Sequence, residues 1–359
     1  MGLISDPSAT GTPSCLPCHE SDAWNSACQG CHLAEVTATA TSLHTNLNGE
    51  IKAFEDRAGH SIDQGGYRDY FDKKCGECHT TCGQCHVSRP HSAGGGFMGT
   101  TGDRFTYSGH LFRPTPSNEQ QCMACHGTRI NYDFEGKGEG VTMDIHRQTG
   151  VKDRCEDCHT QLEIHGDGNT YEHRYAMEEM PRCEKCHGPG RDDEWDNNFH
   201  NAHVDGFVVG GNLQCQVCHS QPYRNCTNCH NLNDGFDIEE EEDAEGNPVL
   251  SLKIAKNTLP KSMRDYDFVV VRHAPASRGT YTDWGLPDLA EYSSRPTWQY
   301  ASPHNIQRNT AQTAGNPSCG SACHGSNYLL RETDLYDDKG AKLEDYDANL
   351  PYVIPAKAK

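Results

Sequence analysis

Apolar residues, cations and long hydrophobic runs are all scarce in this 359-residue chain. Only 34% of residues are hydrophobic and the mean hydropathy is -0.80, while 35 glycines and 18 prolines interrupt any periodicity. That is thin material for aliphatic cores in a chain long enough for two or more domains. Something other than leucine and valine has to supply buried apolar surface. No apolar run of about eighteen residues occurs, which excludes a membrane-spanning helix. Lys and Arg total 31 against 51 Asp and Glu, a formal charge of -20. The deficit of cations excludes nucleic acid as a natural partner and favours cationic partners, metal ions and oxide surfaces.

What is abundant is cysteine, and it has one pattern. All 20 cysteines fall into ten units that end in Cys-His. Nine are CxxCH: Cys15, Cys18 and His19; Cys28, Cys31 and His32; Cys75, Cys78 and His79; Cys82, Cys85 and His86; Cys122, Cys125 and His126; Cys155, Cys158 and His159; Cys183, Cys186 and His187; Cys215, Cys218 and His219; Cys226, Cys229 and His230. The tenth, CGSACH, is one residue longer and uses Cys319, Cys323 and His324. CxxCH is the c-type haem attachment signature. Two thiols one helical turn apart add to the two vinyl groups of one porphyrin, and the next residue then lies beneath the iron as proximal ligand. Structural zinc and a disulfide framework are the competing readings, and neither needs an imidazole fixed after every second cysteine. In CGSACH the extra residue bulges the attachment turn and a disulfide is the alternative, but His324 keeps the register. The expectation is ten covalent haem c groups, without which the chain has no fold.

Histidine supply sets a second constraint. Of 21 histidines, ten are proximal, which leaves His44, His60, His91, His110, His146, His165, His173, His200, His203, His273 and His304. These are eleven candidates for ten distal positions. A bis-histidine iron has no open site and changes charge with little change of bonding, which favours electron transfer. His200 and His203 are so close in sequence that one of them is the candidate spare. Met98, Met123, Met143, Met177, Met180 and Met263 are available as substitute ligands, but with enough histidine present they read as packing. No residue is assigned as acid, base or nucleophile.

Motif spacing divides the chain into a nine-haem array with an N-terminal arm over 1–230, a motif-free segment over 231–318, and a tenth haem site with a tail over 319–359. Cys75 and Cys82 are near enough along the chain to make their haems neighbours. The pairs at Cys15 and Cys28, and at Cys215 and Cys226, follow with looser bounds. Motifs at Cys122, Cys155 and Cys183 recur as a coarse repeat. Over residues 33–74, around Ile51, Phe54, Tyr67 and Tyr70, the pattern is helical, and Gly94 to Gly96 mark a flexible or tightly turned loop. Within 231–318, Pro248 to Ile254 and Tyr266 to Arg272 read as strands, with His273 ending the second and placed to point at a haem. The acidic run Asp237 to Glu245 reads as a solvated hairpin flank, with calcium binding or docking of a basic partner as the alternative. The fold class is mostly irregular coil with short α-helices and a few β-strands, an elongated array organised around its haems.

The ten motifs resemble those of the multihaem c-type cytochromes of extracellular electron transfer, a group that includes filament-forming members. The resemblance covers 15–230 and 319–324, with VRHAP at 271–275 and SPHN at 302–305 similar to distal-ligand segments. It implies a non-enzymatic electron conductor in which charge hops along closely spaced haems. It also points to a homopolymer; since chain ends fray unless something holds them, the first fourteen residues and the tail from Asn327 to Lys359 are expected to dock on adjacent copies. Other c-type cytochromes and metal or mineral acceptors are the further partners implied. The alternatives are a discrete periplasmic or outer-surface shuttle or porin-bound conduit, and a nitrite, hydroxylamine or tetrathionate reductase. The reductase requires an open iron site, and no CxxCK unit is present. Thioether haem is assembled outside the cytoplasm in prokaryotes. Although no secretory signal precedes Met1, the chain is therefore expected to be a mature exported form, extracellular or at the cell surface rather than periplasmic.

Overall fold

The computed structural model describes residues 28–74, 81–87, 113–137, 142–191, 198–203, 212–221, 241–242, 248–249, 252–274, 277–282, 285–310, 313 and 328–355. The motifs that begin at Cys15, Cys75, Cys226 and Cys319, together with His91, His110 and the Gly94 to Gly96 loop, lie outside these residues. Chain contacts divide the protein into two units. One comprises Met1–Gly49, Phe71–Gly127 and Arg154–Arg174; the other comprises Glu50–Tyr70, Thr128–Asp153 and Tyr175–Lys359. Residues 231–318 thus share a unit with sequence on both sides of them.

Local structure is short helices joined by coil, with a small sheet. The helical pattern in 33–74 becomes four helices, Leu33–Thr39, Leu43–Asn46, Asn48–Ala58 and Tyr67–Lys74. Asn48–Ala58 is the longest described, at 11 residues. Left-handed residues stop several of them early: Leu47 at φ 56° ends Leu43–Asn46, and Gly150 at φ 68° ends Ile145–Thr149. With so few turns, none of these helices is stable by propensity alone, and each depends on what it packs against.

In the first unit, Phe71 and Val87 are the only buried hydrophobic residues among those described. Four described attachment motifs crowd into this same unit. Among the described residues, the aliphatic core clusters sit in the second unit and are built on a three-stranded antiparallel sheet. Its strands are β3 (Leu252–Lys256), β4 (Phe268–His273) and β5 (Trp298–Tyr300), and a separate hairpin pairs β1 (Glu241–Glu242) with β2 (Pro248–Val249). Of the acidic run, Glu241 and Glu242 therefore do flank a hairpin, and the rest lies outside the described residues. Central β4 is apolar on both faces because both are covered. Val269 and Val271 join Ala255, Trp298, Leu330, Leu335, Tyr346 and Val353 on one face, while Val270 joins Ile254, Ala301, Leu329 and Val217 on the other. That is why its sequence, FVVV, shows no polar alternation.

Residues of the C-terminal segment complete this core. Leu329 bridges to Ile254, the Leu330 N–H donates to the Ile254 carbonyl (2.8 Å), and the Ile354 N–H donates to the Leu330 carbonyl (2.9 Å). Residues 328–355 thus pack along the edge of their own chain's sheet.

Candidate metal centres

Six motifs are described, each a tight turn or a helix of one turn. In the first unit the His32 N–H closes onto the Cys28 carbonyl (2.9 Å) before Leu33–Thr39 begins. The Cys82–His86 helix is capped reciprocally by Thr81 and Gln84. A π-helical turn, Asn118–Cys122, leads into Met123–His126, and the Gln121 side-chain amide donates to the Cys85 carbonyl, fixing this motif against the preceding one. The last is a 3-10 turn at Cys155–Asp157 followed by helix Gln161–His165, which Thr160 caps through the Glu163 N–H. That helix stops at Gly166 (φ 87°, ψ 158°), where a Cβ would sit 2.7 Å from the Ala38 carbonyl. Only glycine fits there.

The sheet positions both described motifs of the second unit. Gln214 donates its N–H to the Phe268 carbonyl (3.0 Å) and its side-chain oxygen accepts from the Val270 N–H (2.9 Å), so the Cys215–His219 turn hangs on β4. Val217 and Cys218 pack on the face of the sheet formed by Ile254, Val270 and Ala301. On its other side the turn meets the 305–310 segment: the Gln307 N–H donates to the His219 carbonyl (2.8 Å), and the Thr310 hydroxyl to the Cys218 carbonyl (2.6 Å). The Cys183–Lys185 turn is tied to the same sheet through the Tyr266 hydroxyl, which donates to Glu184.

Four motif histidines each face a histidine from outside the motifs. Ring centroids are 6.2 Å apart for His126 and His44, 5.9 Å for His86 and His165, 5.9 Å for His187 and His146, and 6.0 Å for His219 and His200. Every histidine-histidine ring pair among the described residues joins a motif member to a non-motif member. Two imidazoles bound to one metal from opposite sides, at metal-nitrogen lengths of about 2.0 Å, have centroids about 6.3 Å apart. The observed spacings fit that arrangement.

Hydrogen bonding prepares the rings for the same task. His86 donates from Nδ1 to the Arg113 carbonyl (2.7 Å), His219 to the Gln307 carbonyl (3.0 Å), His159 to the Glu163 carboxylate (3.0 Å) and His146 to the Asp144 carboxylate (3.0 Å). Fixing the proton on Nδ1 leaves the Nε2 lone pair for a metal and raises its basicity. His60, His203 and His304 also engage Nδ1, with the carbonyls of Ser61, Phe199 and Ser302. Burial, together with neighbouring His126, His159 and His165, pushes His44 down to about 4, so it is a neutral donor at pH 7. His126, His165 and His219 are lowered, also chiefly by burial, whereas the Asp144 hydrogen bond raises His146.

Exposed apolar side chains border these rings. Leu33 (59% exposed) follows His32, Leu162 (47%) lies one turn before His165, and Phe199 (61%) precedes His200. Motif cysteines also meet one another. Cys28 lies beside Cys82, Cys122 beside Cys155, and Cys183 beside Cys215, whose thiol donates to the Glu184 carboxylate (3.6 Å). In haem-attached chain these sulfurs would be thioethers, and the contacts then stand for nearness of attachment points.

The other candidates are placed as follows. His60 packs against Phe54 and Tyr67, and the His304 backbone N–H donates to buried Asp133. His273 ends β4 as expected, but its ring lies on Trp298 and its Nε2 meets Thr297 (3.1 Å). Met177 is buried, and the sulfur of Met180 accepts from the Arg264 guanidinium (3.0 Å). Sequence reasoning missed the orienting carboxylates Asp144 and Glu163. Their signals are local: Asp144 stands two residues before His146, and Glu163 four after His159. No known family, curated protein or solved structure matches the chain.

Proposed function

We propose that the chain is a decahaem c-type cytochrome that conducts electrons outside the cytoplasm along closely spaced bis-histidine haems. The observation that carries this reading is the set of four motif-to-non-motif histidine pairs at 5.9–6.2 Å. Haem supplies the reversible one-electron change at iron, with its potential set by axial ligand, burial and hydrogen bonding. The residues of this chain do the rest. Cysteines tether, motif histidines ligate from one side, and His44, His146, His165 and His200 ligate from the other. Asp144 and Glu163 hold their imidazoles in one tautomer.

A first unit with only two buried hydrophobic residues among those described, and Leu33, Leu162 and Phe199 standing uncovered next to histidines in sequence, supports porphyrin as the missing apolar surface. The sulfur contacts support three neighbouring pairs: the haems of Cys28 and Cys82, of Cys122 and Cys155, and of Cys183 and Cys215. Closed coordination on both sides of the iron favours transfer over turnover.

Pyridine haemochrome analysis of purified, exported protein tests this directly: about ten haems per chain, low-spin when oxidised and inert to carbon monoxide when reduced, is the expected result. Markedly fewer haems, or carbon monoxide uptake at several of them, would overturn it. The same reading carries the expectation of self-assembly. Fibres in electron micrographs would support a homopolymer; single particles at high concentration would leave a discrete carrier.

A further inference from the structure

We infer that His273 is the eleventh, non-ligating histidine, and that His200 and His203 both bind iron, so that helix Asn198–His203 serves two haems. This rests on the bis-histidine reading above and assigns its ligand set.

His273 is held by the sheet through the wrong nitrogen. It pairs with Trp298 in the β4-β5 ladder, and its ring lies on the indole at 5.0 Å with a 31° tilt. Its Nε2 is 3.1 Å from the Thr297 hydroxyl oxygen. That hydroxyl gives its own proton to Asp345 and also accepts from the Asn349 amide (3.0 Å), so Nε2 has to be the donor in the contact. A protonated Nε2 has no lone pair for a metal. Seven other described histidines (His60, His86, His146, His159, His203, His219 and His304) do the reverse and commit Nδ1. His273 therefore completes a side-chain network with Thr297, Asp345 and Asn349 that ties β5 to the C-terminal segment.

Removing His273 from eleven candidates leaves ten for ten irons, and the supposed spare on helix Asn198–His203 becomes a ligand. His203 is prepared for it: Nδ1 donates to the Phe199 carbonyl (2.9 Å), and the backbone carbonyl of His203 accepts from the Leu213 N–H (2.9 Å). An iron held by His200 and His219 would have both of its histidine positions taken, so His203, about 60° round the helix and about 4.5 Å along it, would address a different iron.

Carbon monoxide titration of the reduced, haem-loaded full chain separates the possibilities. His203→Ala is expected to open one binding site per chain, as is His200→Ala, whereas His273→Gln opens none and keeps the wild-type spectrum. His203→Met, which returns a ligand, is expected to close the site again and raise the potential of one haem. A site opened by His273→Gln, or none opened by His203→Ala, overturns the assignment. Should His273→Gln fail to accumulate, His273→Asn with the same titration gives the same decision. Carbon monoxide binding by the unaltered protein at several haems would instead defeat the bis-histidine reading itself.

Discussion

Replacing Asp144 by asparagine removes one negative charge from behind His146, a proposed haem ligand, while keeping the volume of the side chain. The carboxylate is 2% exposed, accepts from the backbone N–H (2.9 Å) and Nδ1 (3.0 Å) of His146 on one oxygen, and from the Ile306 N–H (2.7 Å) on the other. An asparagine that keeps its oxygen on His146 must turn its amide toward the Ile306 N–H, donor against donor, at a cost of about 1–3 kcal/mol. The reverse orientation sets the amide against both His146 donors and is worse. His146 thus keeps an acceptor but loses an anionic one, and its Nε2 becomes a poorer donor. Losing an outer partner of this kind costs about 10–100-fold in metal affinity. Falling mainly on the ferric state, which depends more on a basic ligand, that loss would raise the potential of the haem proposed at Cys183 and Cys186 by roughly 60–120 mV, at 59 mV per tenfold for one electron. Spectroelectrochemical titration should show about one tenth of the haem absorbance moving upward, with haem content unchanged. A folded Asp144→Asn protein whose titration overlays the wild type would refute the assignment of His146 opposite His187.

Three further outcomes are expected. Gly166→Ala places a side chain in a backbone region open essentially to glycine and against the Ala38 carbonyl, costing about 1–3 kcal/mol; thermal melting should be earlier, and displacement of His165 should open the haem of His86 to carbon monoxide. Leu335→Ala removes a fully buried side chain from the sheet's core and should destabilise the second unit by about 2–5 kcal/mol in denaturant titration, with haem count and spectrum unaltered. Burial is the main reason His273 is held below its usual value; Arg57 and Lys253 push the same way and Asp345 opposes them. The unfolded imidazole therefore takes up a proton below about pH 6.5 that the folded one refuses, so unfolding free energy falls as pH drops through that point, by at most about 1.4 kcal/mol per pH unit. His273→Gln should flatten that slope in acid titrations of stability, and an unchanged slope would assign it to other groups.

Legibility in the sequence varied with the range of the interactions involved. Helices around Ile51, Phe54, Tyr67 and Tyr70 were visible because period is a local property, and β-branching marked strands at Pro248 to Ile254, which straddles Pro248–Val249 and Leu252–Lys256, and at Tyr266 to Arg272, which forms as Phe268–His273. The Cys-His turns were visible for the same reason: attachment chemistry needs its three residues within one turn. The tail's role was not, because Leu330, Leu335, Tyr346 and Val353 acquire meaning only against strands formed by residues 252–300. Nor was the partition of His200, His203 and His273, since which nitrogen a histidine commits depends on neighbours such as Phe199 and Thr297 in the folded chain.

By itself, then, the order of residues determined the inventory: ten Cys-His units, eleven further histidines, a net negative charge and too little aliphatic material for a conventional core. Tertiary structure alone decided the pairing. His44 reaches His126 across 82 positions, and His86 reaches His165 across 79, distances along the chain over which spacing carries no information. Ligation is a through-space relation between two imidazoles, and only packing of short helices and the sheet brings a particular two to opposite sides of one point.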